Sequence, residues 1–289
     1  MKSYNEFCKE QAERLFEIIE THQGLLQWQK SWQVKGNNSL PKGVGGFYQG
    51  INLWKLLTEQ TTCGLGSSIW LTYNQIKQKG GQVLKGAKGK QVCFFKLREI
   101  ETENANGDND ARMVPLFRLY TVFNLDQANM AGQEVEATTP APKPLQQLIT
   151  FLKVTVSEFG NQPQFQPVED VIVMPRRECF VTPSDFDVTL LHELVHWTGH
   201  QSRLNRETIR DYGKSDAIRA EEELIAEIGS VFLASYFGVA GDLINHASYV
   251  SSWKKLLDEK AIGRAMSQAS RAFAWLVNQL EDQAVVAAA

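Results

Sequence analysis

The sequence predicts an α+β protein in two domains, an N-terminal α+β unit followed by a mostly helical unit with a small sheet. Three observations carry that reading. Helix-period and strand-period segments mix along the first 130 residues. Ala131 to Pro144 then holds three prolines and almost no apolar periodicity, the composition of a linker. From Leu145 onward the pattern is nearly all helical. The domains are therefore drawn as 1–130 and 145–289, joined by 131–144, and each is long enough to bury a core of its own.

Ser3 to Glu20 reads as a helix with Phe7, Leu15, Ile18 and Ile19 on its apolar side. A stretch rich in Gly, Lys and aromatic residues follows. Ile51–Gln60 and Thr72–Lys79 read as helices, the second stopped by Gly80-Gly81. Gln91–Glu99 and Leu116–Phe123 read as the strands of a long hairpin, with a polar loop at Glu101–Asp110. In the second half, Leu145–Phe159 reads as a helix. Asp170–Met174 reads as a short strand ended by Pro175, and as the candidate edge strand of the small sheet. Ser184–Thr198 is a helix stopped by Gly199, and Ala220–Phe237, Ala247–Glu259 and Ile262–Leu280 complete the helical part.

Composition narrows the class. Hydrophobic residues make up 43% and charged residues 22% of the chain, as in a folded globular protein. No apolar stretch approaches bilayer length, so a membrane is not an expected partner. The first twenty residues are amphipathic and acidic, unlike a secretory signal. Cys8, Cys63, Cys93 and Cys179 are scattered with no Cys-x-x-Cys pair, which fits a reducing cytoplasm.

His192-Glu193-Leu194-Val195-His196 lies on the Ser184–Thr198 helix. Two imidazoles four residues apart project from one helical face and can reach one metal ion. Glu193, on the neighbouring flank, can contact a water on that ion without being a ligand. The chain has five His, of which three fall between positions 192 and 200. This pattern points to metal-assisted hydrolysis, with His192 and His196 as ligands, Glu193 as the acid–base group and one Zn²⁺ per chain, another divalent ion being an alternative. The third ligand is sought in Glu221-Glu222-Glu223-Leu224-Ile225-Ala226-Glu227. Glu223 and Glu227 share a helical face, so Glu223 is read as the ligand and Glu227 as the carboxylate that holds a ligand His. The His-x-x-Gly-x-x-His extension fails at Ser202, and His200 is read as a supporting residue beside the site. Tyr212, Tyr236, His246 and Tyr249 are all candidates for stabilising an oxyanion.

Charge separates the two halves. Thr21 to Arg98 carries eleven Lys or Arg against one acid, Glu59, a local balance of +10 in a chain whose net charge is −3. The remainder is correspondingly acidic. Trp28, Trp32, Phe47, Tyr48, Trp54, Trp70, Tyr73, Phe94 and Phe95 are interspersed among these lysines. Aromatic faces stack on unpaired bases while lysines follow phosphates, so the segment is read as meeting a polyanion, a solvated basic face being the alternative. Most of the aromatics are expected in the core. Trp70 and Tyr73 are chosen as the exposed ones, with Lys77, Lys79, Lys85, Lys88 and Lys90 as phosphate contacts. The Gly-rich turns at 42–46 and 85–90 allow backbone amides near phosphate oxygens, but neither has the spacing of a nucleotide-binding loop.

Several blocks together resemble one family. Tyr48-Gln49-Gly50-Ile51-Asn52, Trp70-Leu71-Thr72-Tyr73-Asn74-Gln75, Gly80-Gly81-Gln82-Val83-Leu84-Lys85-Gly86 and Val122-Phe123-Asn124-Leu125-Asp126-Gln127 resemble the N-terminal domain of ArdC-type antirestriction proteins, also found at the start of some conjugative-plasmid primases. Leu191 to His200, Ser202 to Arg206 and Glu222 to Gly229 are similar to that family's zincin-type C-terminal domain. The resemblance implies a single-stranded-DNA-binding domain followed by a metallopeptidase-like domain. It also implies a role in protecting transferred plasmid or phage DNA from host restriction, with a protein substrate or the restriction machinery as further partner. It supports Glu223 as the metal carboxylate, although the extra Glu221 leaves the register of the acidic pair open. Two other functions fit the same residues: a non-enzymatic single-stranded-DNA-binding protein with a structural metal, and a regulatory zinc protease whose basic segment docks a protein.

Overall fold

The computed structural model describes residues 3–22, 24–33, 40–103, 109–130, 145–241, 253 and 255–287. The linker at 131–144, most of the helix expected at 247–259, and the candidates His246 and Tyr249 lie outside the described residues.

The N-terminal half opens with α1 (Tyr4–His22) and α2 (Leu25–Gln33), then the β1–β2 hairpin (Lys42–Gly43, Gly46–Phe47) and α3 (Ile51–Thr62). Helix α2 falls in the stretch for which the sequence showed no clear period. Strand β3 (Trp70–Thr72) leads directly into α4 (Tyr73–Gln78). The Thr72 side chain accepts from the Gln75 N–H while the Gln75 side chain accepts from the Thr72 N–H. This reciprocal cap, worth about 1 kcal/mol, fixes where strand becomes helix. Strand β4 (Gln82–Val83) pairs with β7 (Ala128–Asn129). Strands β5 (Lys90–Glu103) and β6 (Asn109–Asn124) form an antiparallel hairpin that β3 extends to a three-stranded sheet in the order β3-β6-β5. The hairpin is longer than its hydrophobic pattern suggests. Pairing continues to Glu103↔Asn109, through residues expected to be loop, because register is carried by the backbone once the strands are joined.

The second half contains α5 (Leu145–Phe151), a small sheet of β8 (Thr155–Glu158), β9 (Gln164–Gln166) and β10 (Val171–Met174), then α6 (Pro183–Thr198), α7 (Glu207–Arg210), α8 (Asp216–Phe237) and α9 (Glu259–Ala287). Two sequence expectations are corrected here. The helix expected over 145–159 stops at Phe151; Lys153 takes a left-handed backbone, and the following β-branched run pairs as β8. Strand β10 is not an edge. It is the central strand, parallel to β8 on one side and antiparallel to β9 on the other, so β9 is an edge.

The two halves share a core. One buried cluster includes Phe7 and Leu15 of α1, Trp54 of α3, Leu224 and Phe232 of α8, and Leu276 of α9. An amphipathic helix such as α1 must bury its apolar stripe, and here α1 packs on α9 while α2 packs on α8. Polar links cross the same boundary: Gln29 donates to the Val239 carbonyl at 3.1 Å and the Gly50 N–H to Ser270 Oγ at 2.8 Å.

Trp70 does not present an exposed ring. It is 0% exposed, packs with Leu56, Val92 and Val122 under α3, and its indole N–H points to Gln60 Oε1 at 3.3 Å. A wholly buried ring cannot stack on a base, so the expectation for Trp70 is withdrawn; truncating it tests the core. Tyr73 is 53% exposed, and Lys77, Lys79, Lys85 and Lys88 are exposed as expected. Lys90 is instead tied to Glu59, the one acid of the basic segment, at 2.6 Å. The glycine of the 85–90 turn nearest that lysine serves packing: a Cβ on Gly89 would lie 2.4 Å from the Thr121 methyl carbon.

Candidate metal centre

Helix α6 carries the His-Glu-x-x-His segment into the core. Thr182 and Asp185 form a reciprocal cap at its start and Pro183 occupies its first turn, where a missing N–H costs nothing. Every residue from Val188 to Thr198 is buried, so the helix is fixed on all sides. Helix α8 crosses it closely at Gly229, where a Cβ would meet Val195 Cγ2 at 2.8 Å. That approach, possible only without a side chain, brings the acidic turn of α8 over the two imidazoles.

The three consecutive glutamates face three different partners. Glu221 makes a bidentate pair with Arg264 of α9, at 2.9 and 2.7 Å. Glu222 is wholly buried and accepts from His196 Nδ1 at 2.9 Å, from Arg206 Nε and Nη2 at 3.1 and 2.7 Å, and from the Thr208 hydroxyl. Burial works against charge on Glu222, but the Arg206 guanidinium and His196 hold its carboxyl below the usual carboxylate range. Glu223 reaches toward both imidazoles, 3.5 Å from His192 Nε2 and 3.7 Å from His196 Nε2, and accepts from the Tyr212 hydroxyl. Burial opposes its ionisation too, yet the two His and Tyr212 outweigh it and the Glu223 pKa is lowered.

The residues fit a metal ion. One atom each from His192, His196 and Glu223 lie within 4.8 Å of one another. The two Nε2 atoms face each other at 3.2 Å. Because Glu222 is an ionised acceptor, His196 donates from Nδ1, and a neutral His196 then directs the Nε2 lone pair at the cluster. Two nitrogen donors and a carboxylate converging on one point match the protein share of an open tetrahedral site. This donor set and the comparisons below support a divalent metal.

The other expected residues are placed as follows. Glu193 is buried beside the cluster and outside the converging set; burial raises its pKa against the pull of His196 and His192, and the Phe165 main-chain N–H donates to it. Glu227 is buried one turn from Glu223, and burial pushes its pKa up to about 7. It is Glu222, which the sequence reading passed over, that bonds His196. The missed signal was Arg206, the basic partner that draws Glu222 inward. His192 is pushed up to about 9: burial opposes its charge, but Glu223, Glu193 and Glu227 outweigh it. His200 is turned to Ser202 Oγ at 2.8 Å and stays outside the cluster. Tyr236 packs among Phe47, Phe237 and Phe273, whereas Tyr212 lines the site.

The cluster opens into a cleft of about 910 Å³. Its walls include Gln164 and Phe165 of β9 on one side and Tyr212, Arg219, Trp253 and Leu256 on the other. Among the described residues, no helix is long and apolar enough to cross a membrane.

Comparison with known proteins agrees with this architecture. Residues 5–123 match the family described as the N-terminal domain of anti-restriction factor ArdC, and residues 143–271 match a zincin-like metallopeptidase family. Two Escherichia coli proteins named DNA primase TraC are 33% and 32% identical over 273 and 271 residues, 88% and 87% of this chain. The chain spans only 25% and 18% of those primases. The crystal structure of the antirestriction ArdC protein from the R388 plasmid superposes with a TM-score of 0.74 at 30% identity in its metal-free form, covering 95% of this chain and 98% of that one. Its Mn(II)-bound form gives 0.72 at 31% identity, covering 94% and 97%. With its two domains in the same order on one polypeptide, the chain belongs to the ArdC family of antirestriction proteins.

Proposed function

We propose that this protein is a cytoplasmic antirestriction factor that binds single-stranded DNA through its N-terminal domain, residues 1–130, and carries in residues 145–289 a zinc-dependent peptidase site. The observation that supports the hydrolytic part most strongly is the convergence of His192, His196 and Glu223 at the head of a cleft, with buried Glu193 beside them. His192, His196 and Glu223 would hold the ion, and Glu222 would fix the His196 ring. When bound, a divalent cation supplies Lewis acidity toward a carbonyl oxygen and a water molecule. Glu193 would take a proton from a water molecule in the cleft and pass it to the leaving nitrogen; burial, which raises its pKa, suits a group that must do both. The edge strand β9 offers main-chain pairing to an extended peptide. Tyr212 lines the cleft, with its hydroxyl donated to Glu223.

For DNA binding, the basic balance of Thr21–Arg98 and the match to the ArdC N-terminal domain are the support. Exposed Tyr73, Lys77, Lys79, Lys85 and Lys88 remain its proposed contacts. The likeness to the ArdC family supports the role: shielding transferred plasmid or phage DNA from host restriction.

Elemental analysis of the purified chain tests the metal site. About one zinc per chain is expected, and none after His192→Ala and His196→Ala together; stoichiometric zinc in that double variant would place the metal elsewhere. Glu223→Ala should lower metal affinity more than Glu227→Ala, because a lost ligand is a lost bond whereas a supporting carboxylate typically counts for about 10–100-fold. Calorimetric titration with Zn²⁺ gives the order, and the reverse order would make Glu227 the ligand.

A further inference from the structure

We propose that the part of the β5–β6 face next to the α3-covered core is the base-stacking platform for single-stranded DNA, built on Phe94 and Tyr120; this deepens the DNA-binding reading above and rests on it. The two rings are 43% and 44% exposed and meet edge to face with centroids 6.5 Å apart. Their places follow from register. Lys90, Val92 and Phe94 of β5 stand opposite Val122, Tyr120 and Arg118 of β6, so all six share one face of the sheet. Helix α3 covers the near part of that face, where Val92 and Val122 pack with Trp70 and Leu56. Beyond the helix the face continues uncovered by this core, and Phe94, Tyr120 and Arg118 lie there exposed. Held edge to face on a strand pair, the two rings are pre-positioned to take flat, apolar surfaces.

The charge pattern selects the occupant. Exposed Arg118 stands directly across from Phe94. Among the described side chains, the open part of this face therefore presents two rings and a cation together. A polyanion with accessible rings matches that combination, and unpaired nucleotides have both features. Duplex DNA offers the charge but keeps its bases stacked on one another. The near end of the same sheet is anchored: Asn52 of α3 makes paired hydrogen bonds to the main chain of Cys93, at 2.7 and 2.8 Å, so the platform sits on a fixed strand. Phosphates would run past Arg118 while bases lie on the two rings, without preference among base types.

The test uses the full chain and a fluorescein-labelled oligothymidylate, followed by anisotropy at several salt concentrations. Phe94→Ala and Tyr120→Ala should each weaken binding by about 5- to 150-fold, the range for loss of one stacked base, and leave the salt slope unchanged. Arg118→Ala should weaken binding and flatten the log–log slope by about 0.7. Tyr120→Trp should retain affinity. Phe159→Ala, which removes an equally exposed ring from the second half, should leave affinity as it is. Because both platform rings are exposed, their removal should preserve the circular dichroism spectrum and melting temperature. If the parent chain binds and both alanine variants bind as well as it does, the platform is wrong while DNA binding stands. If the parent chain binds no oligonucleotide at low salt, the DNA-binding reading falls and the platform with it. Equal binding to a duplex, with the same ring dependence, would overturn the assignment to unpaired bases.

Discussion

Glu193→Gln is expected to keep its metal and lose about 10²–10⁴-fold in hydrolysis of a labelled, unfolded protein such as casein. The amide preserves size and hydrogen-bonding shape but cannot accept a proton at the working pH. Glu193 lies outside the group of atoms that converge on one point, so metal content and affinity should be unchanged in elemental analysis and Zn²⁺ titration. The paired readouts separate the possible roles. Lost metal would make Glu193 a ligand and overturn the assignment. Retained hydrolysis with retained metal would remove it from proton transfer. The Phe165 N–H that donates to Glu193 belongs to the edge strand β9.

The second large effect is expected at Glu222, a residue with no direct place in the chemistry. Glu222→Ala should cost about 3–5 kcal/mol of stability, because it leaves the Arg206 guanidinium, itself buried, without its carboxylate. In a chain of this size that is a fall in melting temperature on the order of 10 °C. It should also lower metal affinity by about 10–100-fold, since His196 loses the acceptor that fixes its tautomer and ring plane. A double variant distinguishes the two losses. Replacing both Glu222 and Arg206 by Met removes the unpaired charge and should return most of the stability while leaving affinity low. Recovery of affinity together with stability would mean that Glu222 acts on the fold alone and not on His196. Calorimetric melting and metal titration on the same samples give both answers.

The consecutive glutamates show where sequence reading ends. That a carboxylate of this helix comes to the His pair is legible from the apolar neighbours Leu224 and Ile225, which turn the helix toward the core. Which carboxylate does what is not, because 221, 222 and 223 are separated by 100° steps around one helix and each answers to a different neighbour. Arg264, Arg206 and the imidazoles come from three other elements. The same limit explains Trp70. Its strand is three residues long, and whether its ring meets α3 or solvent depends on α3 being placed over it.

What the sequence determined by itself is local. The His192–His196 spacing, the hairpin and the charge segregation are set by neighbours close in the chain, where helix and strand periods act directly. What only the tertiary structure decided is long-range: the shared core that joins α1 and α3 to α8 and α9, the central place of β10, the pairing of Glu222 with Arg206, and the exposure of Phe94 and Tyr120 in place of Trp70. Those depend on which apolar faces cover one another across more than a hundred residues. No period in the chain encodes that, because burial is a property of a residue's final neighbours and not of its place in the sequence.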